Sequence, residues 1–189
     1  MIAELAIGAG LVAAASFAYR ALKPKRPETA APTTKPPPDP APLGLHVGDV
    51  LLHGDTELWL AGCFTLDEEG FVARLFRAPG NTRANWVLQL DEEGNDLALV
   101  NETDAVPEGA VPAELPVGGI RLTLRSKGSA TITHEGSDLP PASDSGEFVM
   151  LGAAGGKILL VVDFAGAGRL AVEGTRYGRE LFDVLPGGD

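Results

Sequence analysis

The chain has 189 residues, which is enough for one domain of ordinary size and too few for two large ones. It carries 15 basic and 26 acidic residues, and this net charge of −11 disfavours binding to the phosphates of nucleic acids. Hydrophobic residues make up 44% of the sequence, so a folded core is expected. The single cysteine, Cys63, excludes an intrachain disulfide framework and a cysteine-rich zinc site.

The N-terminal stretch Ile2–Leu22 predicts a transmembrane anchor helix. It is rich in alanine, and no charged residue lies between Leu5 and Tyr19. As a helix, its 21 residues would span about 30 Å, close to the hydrocarbon thickness of a bilayer. A soluble alanine-rich helix is the alternative. A cleaved secretory signal would carry Lys or Arg before the apolar stretch, and here the charged side chain in that place is Glu4.

Basic residues at the end of the predicted anchor and just after it indicate its orientation. They are Arg20, Lys23, Lys25 and Arg26. Because basic flanks stay on the cytoplasmic side, the sequence predicts a single-pass inner-membrane protein with its C-terminal domain in the cytoplasm. Small residues also recur every four positions along the helix, a spacing that lets membrane helices approach closely. They are Ala6, Gly10, Ala14 and Ala18. Self-association is therefore a further prediction, and the general abundance of alanine is the alternative explanation.

Residues 23–42 are predicted to be a proline-rich linker. The segment holds 8 of the 15 prolines of the chain, including three in a row at 36–38. Such a sequence forms neither helix nor sheet and favours an extended polyproline II conformation. At about 3.1 Å per residue it would hold the following domain up to roughly 60 Å from the bilayer. We expect a spacer, and a ligand for SH3-like or WW-like modules is the alternative.

Residues 43–189 are predicted to be an acidic all-β domain. This part holds 10 basic and 23 acidic residues, a net charge of −13. Trp86, Leu88 and Leu90 alternate with other residues, as in a strand with one buried face. Ile158–Val162 is apolar throughout, which is typical of a strand buried on both faces. Short patterns of this kind favour a β-sandwich or a partly open barrel of about ten short strands. The other predicted strands are Asp49–Leu52, Leu58–Phe64, Phe71–Arg77, Asp96–Val100, Ile120–Arg125, Ala130–Thr133, Glu147–Leu151, Arg169–Glu173 and Glu180–Val184.

Two repeated patterns bear on the topology. The sequence LDEEG occurs at Leu66–Gly70 and at Leu90–Gly94, and each copy is predicted to join neighbouring strands of one meander. A metal-binding loop is the competing interpretation, but the alternating carboxylates of a calcium loop are missing. The pattern L-x-V-G begins at Leu45 and again at Leu115, 70 residues apart. It raises the hypothesis of two similar β-halves, with a chance match as the alternative.

No catalytic, cofactor-binding or metal-binding residue is predicted. The three histidines, His46, His53 and His134, are not spaced as metal ligands. Cys63 lies in an apolar stretch and is expected to be a buried structural thiol on the face of Trp59. The glycine-rich segment 152–157 lacks the Ser or Thr of a phosphate-binding loop, so it is predicted to be a hairpin turn or a tight crossing.

Several short motifs between residues 45 and 185 occur in an order that resembles a known bacterial family. They are Gly48-Asp49, Leu58–Gly62 (LWLAG), Trp86-Val87, Leu170–Gly174 (LAVEG) and Tyr177–Gly187 (YGRELFDVLPG). In this order they are similar to the uncharacterised bacterial family called domain of unknown function 4178. Trp59 replaces a tyrosine of its pattern, and 73–76 replaces an aromatic–acidic strand. The resemblance implies a β-rich domain without established catalysis and an accessory role at the membrane, linked to membrane stress.

The three-part layout favours a membrane-anchored, non-catalytic accessory protein that presents its acidic β-domain to a protein partner. Exposed aromatic side chains are common contact points, so Trp59 and Trp86 are the candidate partner-binding residues. Burial in the core is the alternative for both tryptophans. An enzyme with a dispersed carboxylate site is one rival hypothesis. An envelope-exposed domain that binds cations or polymers is another, and no cofactor is expected.

Overall fold

The computed structural model describes residues 44–69, 71–91 and 95–187. These residues form twelve β-strands and two short 3-10 helices, at Ala154–Gly156 and Arg179–Leu181. None of the helices in this part of the chain has the length and apolarity needed to cross a bilayer. The predicted anchor, its four-residue spacing and the linker lie outside the described residues. The strands are β1 (Val50–His53), β2 (Thr56–Trp59), β3 (Gly62–Glu68), β4 (Phe71–Arg77), β5 (Trp86–Gln89), β6 (Asp96–Glu102), β7 (Glu114–Val117), β8 (Ile120–Gly136), β9 (Ser145–Gly152), β10 (Lys157–Phe164), β11 (Gly168–Gly178) and β12 (Asp183–Leu185).

Eight of these strands close into an antiparallel barrel. The order around it is β3-β4-β5-β6-β11-β10-β9-β8, and β8 pairs back onto β3. The barrel therefore consists of two four-stranded meanders, β3 to β6 and β8 to β11, which meet at the β6–β11 and β3–β8 pairs. The all-β prediction is confirmed. The sandwich alternative is wrong, and the barrel is closed instead of partly open, because β3 pairs with β8.

Strand β8 is long enough to pair with three other strands. Its 17 residues pair with β7 at 120–123, with β9 at 123–131 and with β3 at 131–136. The register shifts between Leu124 and Ser126, which makes Arg125 the extra residue of a β-bulge. A one-residue insertion exchanges the two faces of a strand. Leu122 consequently packs outside the barrel, whereas Ala130 points into it.

The closing seam between β3 and β8 begins at a pair of glycines. Gly62 lies directly opposite Gly136. A side chain at Gly62 would collide with the carbonyl oxygen of Ser137, and one at Gly136 would collide with that of Ala61. The two backbones approach each other here at a distance that leaves no room for a Cβ atom. Closure of the barrel therefore depends on glycine at both positions.

Apolar side chains from both meanders fill the barrel. Phe64 and Trp86 stack with ring centroids 6.1 Å apart, and Phe71 and Phe148 stack with centroids 5.1 Å apart. All residues of Ile158–Val162 are buried, because alternate side chains point into the barrel and into a second cluster outside it. The hairpin of β7 and β8 covers that second cluster. The prediction of a strand buried on both faces is confirmed.

Strands β12, β1 and β2 form a separate three-stranded antiparallel sheet, which we call the small sheet. Its inner face packs on the outside of the barrel. Leu51, Leu58 and Phe182 share one buried cluster there with the barrel residues Cys63 and Val87. The first and last strands of the domain are thus neighbours on one side of the molecule.

Two of the predicted strand assignments are corrected. The stretch Leu58–Phe64 is divided between β2 and β3, because the chain leaves the small sheet at residues 60–61 and enters the barrel. Trp59 is consequently exposed, whereas Cys63 is buried, so the two do not share a face. The separate strands predicted at 120–125 and 130–133 are one strand, β8. Both LDEEG segments join neighbouring strands as predicted, with residues 70 and 92–94 outside the described part.

Candidate functional site

The outward face of the small sheet carries three apolar side chains in line, here called the apolar row. Trp59, Val50 and Leu185 are direct cross-strand partners on β2, β1 and β12. Directly paired residues point to the same face of a sheet, so the three side chains are neighbours. Trp59 is 51% exposed and Leu185 is 52% exposed, whereas Val50 between them is half-buried. Grouped apolar side chains in contact with water are typical of interaction surfaces.

A second row on the same face is acidic at both ends, and we call it the acidic row. It consists of Glu57, Leu52 and Asp183, which are cross-strand partners next to the apolar row. Both carboxylates are exposed, and Leu52 between them is half-buried. Neighbouring strands lie about 4.8 Å apart, so the two carboxylate residues are about 10 Å apart. Neither carboxylate is in an ion pair with a described residue.

The buried inner face fixes the orientation of these two rows. Leu51 and Leu58 are fully buried against the barrel. The ring of His53 lies 4.9 Å from that of Phe182 and 4.7 Å from that of Tyr177, measured between centroids. Side chains on the inner face of β1 and β2 therefore hold the small sheet against the barrel. Because successive residues of a strand point to opposite faces, this anchoring turns the apolar and acidic rows towards solvent.

A buried carboxylate joins the two ends of the domain beside the apolar row. Asp49 is 6% exposed, and its Oδ2 atom accepts the backbone N–H of His46 at 2.8 Å. Its Oδ1 atom accepts the backbone N–H of Gly187 at 2.9 Å. The side chain thus ties the segment before β1 to the segment after β12. This contact holds Leu185 in register with Val50.

A loop covers the free edge of β2. The Asn81 side-chain amide donates to the backbone carbonyl of Glu57 at 3.0 Å. The Arg83 guanidinium donates to the Asp55 carboxylate at 2.8 Å and to the Thr56 hydroxyl at 3.0 Å. One backbone carbonyl of the edge is thus occupied and the loop lies over its start, which makes this edge a poor template for an added strand. The accessible part of the sheet beside β2 is therefore its outward face.

Trp86 lies inside the barrel and is fully buried. Its indole N–H donates to Oε1 of Glu102 at 2.9 Å, and the guanidinium carbon of Arg77 lies 5.0 Å from its ring centroid. Arg77 is also 3.5 Å from the same Glu102 oxygen. A cation over the ring and a carboxylate at its edge are favourable partners for a tryptophan. Trp86 offers no surface to a partner, so of the two candidate residues only Trp59 belongs to the site.

The neighbours of Trp59 on the outward face cannot all be predicted from the local sequence. The alternation in β2, with Thr56 and Leu58 buried and Glu57 and Trp59 exposed, follows from the sequence once the strand is placed. The pairing of β1 with β12 joins positions more than 130 residues apart, and no local pattern marks it. Leu185 could not be assigned to the face of Trp59 for this reason.

An acidic groove of about 710 Å³ opens beside the end of β3. Its carboxylate residues are Asp67, Glu68, Glu69, Glu147 and Asp163. Asp163 is paired with Arg169, and this hydrogen bond raises the pKa of the Arg169 guanidinium. Within the described ranges, no group of three or more His, Cys, Asp or Glu side chains is placed to hold a metal ion. The groove is the feature that the enzyme and cation-binding hypotheses would use.

A smaller cleft of about 230 Å³ lies between the β7–β8 turn and the barrel wall. Val117 and Ile120 form its apolar side, and Lys157 and Glu173 form its charged side. The Lys157 ammonium donates to the Thr175 hydroxyl at 3.1 Å. Pockets for small molecules usually enclose about 300–1,000 Å³, so this cleft is below the ordinary range.

The histidines and the cysteine lie on separate elements. His46 precedes β1, His53 ends β1, and His134 is exposed near the end of β8. Cys63 is buried, as predicted, and desolvation by burial raises the pKa of its thiol to about 12. The thiol is therefore protonated at neutral pH and is a poor nucleophile.

Comparisons with family models, curated proteins and solved structures gave no match. The similarity to the domain of unknown function 4178 stays a prediction. Function must therefore be inferred from the geometry and charge of the domain itself.

Proposed function

We propose that this protein is a membrane-anchored, non-catalytic accessory protein that presents its acidic β-domain to a protein partner. In this proposal residues 2–22 hold the chain in the bacterial inner membrane, and residues 23–42 are the spacer. The domain lies in the cytoplasm and contacts its partner through the outward face of the small sheet. A link to membrane stress rests on the family resemblance.

The apolar row is the observation that supports this proposal. Trp59 and Leu185 each expose about half of their surface on either side of Val50. Tryptophan is strongly enriched among the residues that carry most of the binding energy of protein interfaces. A partner that covered the row would remove the exposed apolar surface of Trp59 and Leu185 from water, which favours binding.

The charge of the domain favours a protein over a lipid surface as the partner. Residues 43–189 carry a net charge of −13. The cytoplasmic leaflet of a bacterial membrane is anionic, so it repels a domain of this charge. A tryptophan-bearing face on such a domain is therefore better suited to a protein.

The test is affinity capture of a partner by the full chain, tagged at its N-terminus and gently solubilised from membranes. The wild-type chain is compared with the Trp59→Ser variant. Loss of an interface tryptophan typically costs about 2 kcal/mol or more, which corresponds to about 30-fold weaker binding. We expect a discrete protein to be captured by the wild-type chain and to be lost from the variant.

Ile120→Ser is the matched control for this experiment. Ile120 is also a large exposed apolar residue, at 39% exposure, but it belongs to the β7–β8 hairpin on the barrel. We expect this variant to capture the same protein as the wild-type chain. Equal capture by Trp59→Ser and the wild-type chain would refute the proposed site. That result would favour the enzyme and envelope hypotheses, because both place the functional site in the acidic groove and not on the small sheet.

A further inference from the structure

We infer that the partner docks with a cationic, apolar peptide segment, whose Lys or Arg side chains meet Glu57 and Asp183 while its apolar side chains cover the apolar row. This inference rests on the proposed function, because it names the chemistry of the partner at the same face. It follows from the arrangement of the two rows across the small sheet.

The acidic row gives the face a charge pattern that a neutral partner would leave unused. Glu57 and Asp183 flank Leu52, at a separation of two strand spacings, or about 10 Å. Both are exposed, and no described residue forms an ion pair with either. A partner that covered them without a positive charge would remove two carboxylates from water and offer no ion pair to replace their hydration. A partner with Lys or Arg converts the same burial into charge-assisted hydrogen bonds.

Trp59 adds a second reason to expect a cation. Its ring is half exposed and lies on the same face as Glu57, two residues away on β2. The face of an indole ring attracts an ammonium or guanidinium group within about 6 Å. Tryptophan and carboxylate together therefore select one type of side chain.

Two other occupants of this face are disfavoured by the same charges. A second copy of the chain, docked face to face, would add a second Glu57 and a second Asp183 to the same interface, which would then hold four carboxylates and no cation from this face. Like charges brought together in an interface cost binding energy. An anionic lipid surface would meet the same repulsion. The segment that we expect at this face is rich in Lys or Arg and belongs to the protein partner of the proposed function.

The test uses three fluorescent nine-residue peptides with alternating Lys–Val, Ser–Val or Glu–Val residues. Fluorescence anisotropy measures their binding to the full chain in non-ionic detergent at low salt. We expect the Lys–Val peptide to bind at least tenfold more tightly than Ser–Val, and Glu–Val to bind least. Added salt should weaken the Lys–Val complex, because exposed ion pairs are screened.

Three variants locate the interaction. Glu57→Gln combined with Asp183→Asn should reduce the preference for Lys–Val over Ser–Val to less than threefold. Trp59→Ser should weaken the binding of both the Lys–Val and the Ser–Val peptide, because it removes the apolar contact. Glu135→Gln removes an exposed carboxylate from β8 and controls for the overall negative charge of the domain. It should keep the full preference.

The outcomes separate this inference from the proposed function. The inference of a cationic segment is refuted if the Glu57 and Asp183 double variant keeps the preference for Lys–Val. It is also refuted if all three peptides bind alike to the wild-type chain. Capture of a protein partner that depends on Trp59 would still stand in that case. Dimerisation that Trp59→Ser abolishes, or binding to anionic phospholipid vesicles, would instead show that a second copy or a membrane occupies the face.

Discussion

Trp59 and Trp86 show how the environment of a residue decides its role. Both lie in strand-like stretches with alternating apolar residues, so the sequence left the same two alternatives open for each. The phase of β2 turns Trp59 outward, because Leu58 is the residue that packs on the barrel. Trp86 is buried beside Glu102 and Arg77, which belong to two neighbouring strands. Its burial required the pairing of β4, β5 and β6, and local sequence does not show that pairing.

Cys63 is expected to be chemically silent in the folded protein. Burial raises the pKa of its thiol from 9.0 to about 12, so the thiolate fraction at pH 8 is about 1,000-fold lower than in the unfolded chain. We predict that Ellman's reagent does not label the native chain at pH 8. The same reagent should titrate the thiol once urea unfolds the protein. Rapid labelling without urea would contradict the buried position.

Because of the same thiol, the free energy of unfolding of the domain should depend on pH in the alkaline range. The pKa is higher in the folded state than in the unfolded state, so the contribution of Cys63 is complete below pH 9 and is lost as the pH rises towards 12. Cys63→Ala removes this dependence and serves as the reference. The difference in the free energy of unfolding between the two chains should therefore shrink between pH 8 and pH 11.

Individual strands were predictable where one or both faces are buried. The strand predicted at Phe71–Arg77 coincides with β4. Its length follows from turn signals on both sides, and its alternation follows from burial against the barrel. Strand β7 was missed, because Glu114–Val117 contains a proline and only two buried residues. The predicted strand Glu180–Val184 begins instead in a 3-10 helix, and β12 starts at Asp183.

Strand β8 shows why boundaries fail even when the elements are recognised. Its polar middle section, around Ser126 and Lys127, has no apolar alternation and predicts a break between two strands. The structure keeps this section extended, because its backbone pairs with β9 across the bulge at Arg125. Backbone hydrogen bonds hold a strand together irrespective of the side chains, and no pattern of side chains marks that pairing in advance.

The glycine pair at the closing seam between β3 and β8 leads to a prediction about barrel closure. A methyl group at Gly62 would collide with the carbonyl of Ser137, so Gly62→Ala must push β3 away from the β8 side. Overpacking of this kind usually costs about 1–3 kcal/mol. Urea unfolding should show the loss as a lower midpoint. Thr133→Ala, an exposed change on the same seam, should stay within about 0.5 kcal/mol of the wild-type chain. A stable Gly62→Ala variant would contradict the close approach.

On the scale of the whole molecule, the sequence indicated the class of fold and not its closure. Apolar alternation and turn signals were enough for an all-β domain. A closed barrel depends on β3 meeting β8, which is a pairing between residues about 70 positions apart. The hypothesis of two similar halves stays a prediction, although the barrel is built from two meanders of four strands each. The candidate face could not be predicted from the local sequence for the same reason, because it needs β12 to pair with β1 across more than 130 residues.

The proposed topology in the membrane predicts a protected domain. If residues 43–189 lie in the cytoplasm, protease added outside intact spheroplasts should leave the chain at full length. Lysis with detergent should then allow its digestion, and a periplasmic protein serves as the positive control for access. Digestion of the β-domain in intact spheroplasts would overturn the assigned orientation. It would favour the envelope-exposed hypothesis.

The pairing of Val50 with Leu185 also means that the proposed docking face needs residues of both β1 and β12. A polypeptide released before residue 183 would retain every strand of the barrel, and it would lack one side of both rows. Such a truncated product would fail to engage the partner even if it reached the membrane. Recognition at this face would then distinguish chains that contain β12 from chains that end before it.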